Sequence, residues 1–100
     1  SEQIKGADLI ITGEGRFDQQ SLRGKLPVGV AKAAAQEGIP VIVLAGAVDR
    51  ETLVHLNEVG ITAAFSINFG PISLEEARRQ AFFSLVDTAQ QLGQVIKLLI

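Results

Sequence analysis

Val41-Ile42-Val43-Leu44-Ala45-Gly46 is an unbroken apolar run that ends on a glycine. A strand with one wet face alternates apolar and polar residues, whereas a strand covered on both faces does not. The run is therefore expected to be a strand of a parallel sheet with both faces buried. Two further runs of the same kind flank it, Leu9-Ile10-Ile11-Thr12 and Ala63-Ala64-Phe65-Ser66-Ile67. Helical patterns lie between them. Pro27 suits a first helical turn, and Val28, Val30, Ala31, Ala34 and Ala35 make an apolar stripe that stops at Gly38. Over residues 51–59, Leu53, Leu56 and Val59 share one face, with Asp49 placed to cap the start and Gly60 to end it.

The last helix is the best marked. Ser73 followed by Glu76 is a capping-box pattern. Leu74, Ala77, Ala81, Leu85, Ala89, Leu92, Ile96 and Leu99 then recur at the spacing of one helix face. Glu75 and Glu76 at the start and Lys97 at the end suit the helix dipole, and Gly93 predicts a bend or an end. The order βαβαβα with parallel strands and right-handed crossovers predicts a three-layer α/β/α arrangement, half of a Rossmann- or flavodoxin-like domain. Three strands leave two open edges, and Val95-Ile96-Lys97-Leu98-Leu99-Ile100 is greasy for a free end. Both features predict a half-sheet that sits against more protein, or pairs with copies of itself through its edges.

Composition narrows the function classes. A chain of 100 residues, 47% hydrophobic and 20% charged, matches one compact domain, and its net charge of −2 offers no basic footprint for nucleic acid. No run approaches the roughly 18 apolar residues of a membrane span. Cysteine is absent, which excludes disulfides, thiolate metal sites and a cysteine nucleophile and agrees with a cytoplasmic setting. The single histidine, His55, excludes a His-pair metal site, argues against a Ser-His-Asp triad and reads as a surface residue. Methionine is missing even at position 1, so a piece of a longer chain is expected.

In open parallel sheets, ligands bind beyond the carboxyl ends of the strands. All three strands end in glycine-containing sequence: Gly13-Glu14-Gly15, Gly46-Ala47 and Asn68-Phe69-Gly70-Pro71. Turns need glycine in any case, but the first crest asks for more explanation. It runs fourteen residues from Gly13 to Leu26, where such loops usually take about 2–6. It carries Glu14, Arg16, Asp18, Ser21, Arg23 and Lys25 among Gly13, Gly15 and Gly24. Two acids with Arg and Lys on one loop suit phosphoryl transfer, where catalysis is largely positioning and neutralisation of phosphate charge. Asp18, with Glu14, would hold Mg²⁺, or Asp18 would take the proton of an attacking hydroxyl. Lys25 or Arg16 would clamp phosphate oxygens, with Gly24-Lys25 as a cradle at the mouth of the first helix. A P-loop is excluded because Leu26 follows Lys25, and the dinucleotide fingerprint fails because Asp18 replaces its third glycine. Arg78 and Arg79 read as a solvated face, and Phe82 and Phe83 as core or as a contact with further protein.

The stretch from Ala7-Asp8-Leu9-Ile10-Ile11-Thr12-Gly13-Glu14-Gly15-Arg16-Phe17-Asp18 through Gln20-Ser21, with Gly24-Lys25-Leu26-Pro27-Val28-Gly29-Val30-Ala31, resembles the C-terminal part of bacterial type-1 glycerate kinases. The likeness continues through Val41–Gly46 and Phe65-Ser66-Ile67 to Ser73–Ala77. The resemblance implies an enzyme that phosphorylates D-glycerate with ATP, built from two α/β domains with substrate and nucleotide between them. Residues 1–100 would then be part of one domain, a C-terminal fragment that does not turn over alone. By motif position Glu14, Arg16, Asp18, Gln20, Ser21 and Lys25 would line the cleft. Phe17 replaces the commoner isoleucine, and Arg23 stands where histidine is often seen. Two other readings remain: a signalling module of the response-regulator kind, which lacks a phosphoacceptor aspartate at a later strand tip, and an NAD-binding half-domain with a broken fingerprint.

Overall fold

The structure, a computed structural model, describes residues 6–18, 21–23 and 26–99. Three strands, β1 (Ile10–Phe17), β2 (Val41–Val48) and β3 (Ala63–Ser66), form one parallel sheet in the order β1-β2-β3. Helix α1 (Leu26–Gln36) links β1 to β2, a 3-10 helix (Arg50–Val59) links β2 to β3, and α2 (Leu74–Leu99) follows β3. A short 3-10 turn (Ser21–Arg23) precedes α1.

The covered strand Val41–Ala45 is in the middle, as its lack of a polar face requires. Val41, Val43 and Ala45 project into the main core with Phe17, Ala31, Ala34, Ile39, Leu56 and Ile61, so α1 and the 3-10 helix cover the same face. Leu44 is buried outside that cluster, and α2 packs against β2 to supply the third layer. The α/β/α architecture expected from the strand and helix rhythm is thus present.

Several boundaries differ from the sequence expectation, each for a physical reason. Strand β1 does not end at Thr12. Its ladder with β2 continues through Glu14↔Ala45 and Arg16↔Ala47 to Phe17↔Val48, because small residues on both strands let them stay paired where glycine otherwise suggests a break. The long crest accordingly shrinks to eight residues, 18–25, between β1 and α1. Likewise Gly46 lies within β2 rather than after it.

Residues 50–59 wind as a 3-10 helix, not an α-helix. Ten residues of 3-10 helix span about 20 Å against about 15 Å for α-helix, a longer return path to the start of the next strand. Leu56 and Thr52 are its buried residues, while Leu53 is half exposed. Asp49 does not cap it through its side chain. Both α1 and the 3-10 helix stop in the same hydrogen-bond pattern. Ile39 and Gly38 donate to Ala34 and Ala35, and Ile61 and Gly60 donate to Leu56 and Asn57, the paired bonds of a Schellman motif. At Gly60, φ is +84° and a Cβ would approach the Ala31 carbonyl oxygen at 3.2 Å, so the stop also seats the 3-10 helix on α1.

Helix α2 starts as its sequence indicates, with the Ser73 hydroxyl accepting the Glu76 amide N–H at 3.1 Å. The reciprocal half of a capping box is absent, because the Glu76 carboxylate accepts from Gln80 and pairs with Arg79 instead. Gly93 neither ends nor interrupts the helix, which runs on to Leu99. Its buried residues are Ser84 and Thr88, and the Thr88 hydroxyl donates to the Ser84 carbonyl. Phe82 and Phe83 meet edge to face on its outer side and are about 70% exposed, so they are not core.

Candidate active-site cavity at the strand tips

The parallel register brings the carboxyl ends of β1 and β2 level, and the chain after β3 crosses beside them. Ile67 extends the ladder by donating to the Ala45 carbonyl at 2.9 Å, and the Asn68 side-chain amide donates to the Gly46 carbonyl at 2.7 Å. Between these tips and the first turns of α2 lies a cavity of about 500 Å³. Glu14, Gly15, Arg16, Gly46 and Ala47 form its strand side, with Ile67 and Asn68 beyond them. Leu74, Ala77, Arg78 and Ala81 close it from α2. Its position is the one that ligands take in open α/β sheets.

Gly46 has a steric reason to be glycine. A Cβ there would stand 2.7 Å from the Gly15 carbonyl oxygen, closer than any real Cβ contact. The two strand tips therefore meet backbone to backbone at the cavity.

Arg16 is held by two carboxylates. Its Nη2 lies 2.7 Å from Asp49 Oδ1, and its Nε lies 3.6 Å from Asp18 Oδ2. Asp49 is delivered there by its own backbone N–H, which donates to the Phe17 carbonyl at 3.1 Å. Its expected role as a cap is thus replaced by an ion pair across the strand tips. Such a pair, partly exposed, contributes under about 1 kcal/mol to stability, so its main effect is to fix the guanidinium.

Asp18 and Ser21 form a tight polar turn. Asp18 Oδ1 accepts from the Ser21 N–H at 3.1 Å and lies 3.2 Å from its hydroxyl, which also lies 3.3 Å from the Arg16 carbonyl. The Asp18 N–H donates to that hydroxyl at 3.2 Å. This mutual bonding satisfies the start of the 3-10 turn and buries Ser21.

Of the residues singled out from the sequence, Glu14, Gly15, Arg16 and Gly46 line the cavity and Asp18 stands beside Arg16. Gly13 pairs with Leu44 inside the ladder, away from the lining. Gln20, Gly24 and Lys25 lie outside the described residues. His55 pairs with Glu58 on the exposed side of the 3-10 helix. Among the described residues no three acidic or histidine side chains gather as a metal-binding group, and no helix is long and apolar enough to cross a membrane.

Sequence reasoning placed Asn68 on the third strand-end crest but missed its side-chain role, since its partner is 22 residues away, and it missed the role of Arg78 altogether. Arg78 did carry a local signal. Leu74, Ala77, Arg78 and Ala81 stand at i, i+3, i+4 and i+7, so the arginine interrupts an otherwise apolar helix face.

Sequence comparison places this chain in a family. The model of the Glycerate kinase family matches residues 1–97. The chain belongs to the glycerate kinase family. A "Glycerate kinase" of Bacillus cereus is 48% identical over 98 residues, 97% of this chain and 25% of that protein. Another of Halalkalibacterium halodurans is 47% identical over 94 residues, 94% of this chain and 24% of that protein. A "Glycerate 2-kinase" of Escherichia coli is 38% identical over 96 residues, 95% of this chain and 25% of that protein. The chain therefore spans about a quarter of the length of these curated relatives.

Proposed function

We propose that this segment is part of one α/β domain of a glycerate kinase and forms one wall of its active cleft. The enzyme would transfer the γ-phosphoryl group of ATP to D-glycerate, with 2-phosphoglycerate as the product. The observation that carries the reading is the strand-tip cavity, where Glu14 and an Arg16 anchored between Asp18 and Asp49 converge in a chain of this family. The name of the Escherichia coli relative supports the 2-hydroxyl as acceptor.

The chemistry follows from those side chains. In the transfer, the glycerate oxygen bonds to the γ-phosphorus, the bond to the β-phosphate oxygen breaks to release ADP, and the hydroxyl proton passes to a base. Asp18 is the base or a metal-holding carboxylate in this reading. Its turn with Ser21 and its contact with Arg16 restrict its orientation. Arg16 presents its remaining donors to anionic oxygens.

Mg²⁺ is usually held by one or two carboxylates together with substrate phosphates. Glu14 on the cavity wall, with Asp18 nearby, suits that requirement without a cage of three protein ligands. When bound, the ion would offset charge on the phosphoryl oxygens. Lys25 with Gly24, and Gln20 beside Ser21, keep the phosphate-binding and lining roles that their sequence positions suggest.

In the intact enzyme, Asp18→Asn and Lys25→Ala should each lower kcat/KM by about 100-fold or more, the scale of a lost transition-state contact. Glycerate-dependent ADP release measures this. Near-normal kinetics in both variants would remove the site assignment.

A further inference from the structure

We infer that Arg78 is the oxyanion receptor of the strand-tip cavity, taking the carboxylate or phosphoryl oxygens of a ligand seated between the strand tips and α2. The inference rests on the phosphotransfer reading and adds to it a binding residue on α2. Two adjacent arginines on that helix have different fates. Arg79 is engaged by its own helix, 3.4 Å from Glu75 and 3.0 Å from Glu76. Arg78 lines the cavity, and its side chain makes no hydrogen bond or ion pair among the described residues. The other cavity arginine, Arg16, already faces two carboxylates, so much of its charge is offset before any ligand arrives.

Arg78 thus brings the cation in this cavity that no described carboxylate balances. Its guanidinium offers five N–H donors in a planar fork that matches carboxylate and phosphate. Its neighbours on the same helix face are Leu74, Ala77 and Ala81. These side chains carry no acceptor that would compete with a ligand anion for the guanidinium. Across the cavity, the Glu14 carboxylate has no partner among the described residues and would disfavour an anion on its own side. A ligand with an anionic end and hydroxyl groups is therefore oriented, its anion toward α2 and a hydroxyl toward β1.

Two substrates of the proposed reaction carry such an anion, and steady-state kinetics on the intact enzyme separates them. Arg78→Ala, Arg78→Gln and Arg78→Lys are compared with wild type and with Arg79→Ala, varying D-glycerate at saturating ATP and then the reverse. The expected result is a rise of tenfold or more in KM for one substrate, with the other within twofold, Arg79→Ala unchanged and Arg78→Lys intermediate. A rise for glycerate assigns the carboxylate, and a rise for ATP assigns the phosphates. Arg78→Gln keeps most of the side-chain stem, so it reads the lost charge if the alanine variant does not fold. Unchanged KM values for both substrates, with Asp18→Asn still impaired, overturn the role of Arg78 and leave the kinase reading standing. A wild-type enzyme that phosphorylates no glycerate overturns that reading and this inference with it.

Discussion

Replacing Gly46 by alanine tests the contact between the strand tips. The methyl group would press on the Gly15 carbonyl, which is backbone inside a paired ladder and has little room to yield. Overpacking of this kind costs about 1–3 kcal/mol. Gly46→Ala should therefore lower the melting temperature of the intact protein by several degrees, and a melting curve superimposable on wild type would refute the close approach. The sequence suggested a strand end at Gly46, which instead lies within β2, and could not show why it is glycine, since the atom it must avoid is 31 residues away in the chain. The same limit hid the true role of Asp49. Local rules read an aspartate before a helix as a cap, and only the folded sheet reveals the arginine 33 residues earlier that takes its carboxylate. Glu14 and Arg16 were legible because mixed charge at a strand tip has no role in packing.

Among the elements, the central strand was the easiest to read, because five successive apolar residues, Val41–Ala45, admit no solvent face. The end of β1 was the hardest. Gly13 and Gly15 weaken strand propensity, yet the ladder with β2 carries the strand five residues beyond Thr12, to Phe17 in the core. Propensity is local and pairing is not. Helix α2 matters to the cavity through its first turns, which bring Leu74, Ala77 and Arg78 to the wall. Those turns depend on the Ser73 hydroxyl. Ser73→Ala should cost about 1 kcal/mol in urea unfolding of the intact protein, the worth of an N-cap side chain. Ser73→Asp should restore most of that, because its carboxylate can accept the same N–H. Equal stability of all three proteins would show that the cap contributes nothing to seating the helix.

At the scale of the whole molecule, the two faces of the sheet are unequally covered. Beneath α1 and the 3-10 helix lies a closed cluster around Phe17, Val43 and Leu56. Elsewhere Ile11 and Phe65 on the outer strands are close to half exposed, as are several apolar residues of α2, and Leu74, Phe82, Phe83, Leu98 and Leu99 are exposed further still. Apolar surface gathered in this way usually marks a contact with other protein. The segment spans about a quarter of its relatives' length, and we propose that the remainder of the kinase covers this surface. Expressed alone, the 100-residue chain should release no glycerate-dependent ADP and should self-associate in sedimentation velocity, through its bare strand edges and α2. Robust turnover by the isolated chain would contradict the two-domain reading, and a clean monomer would contradict the covered surface. The bare backbone meeting of Gly15 and Gly46 has an evolutionary consequence. With no side chains there to exchange, a descendant enzyme can shift its choice of ligand only through the surrounding walls, and a relative bearing bulky residues at both positions would disprove that constraint.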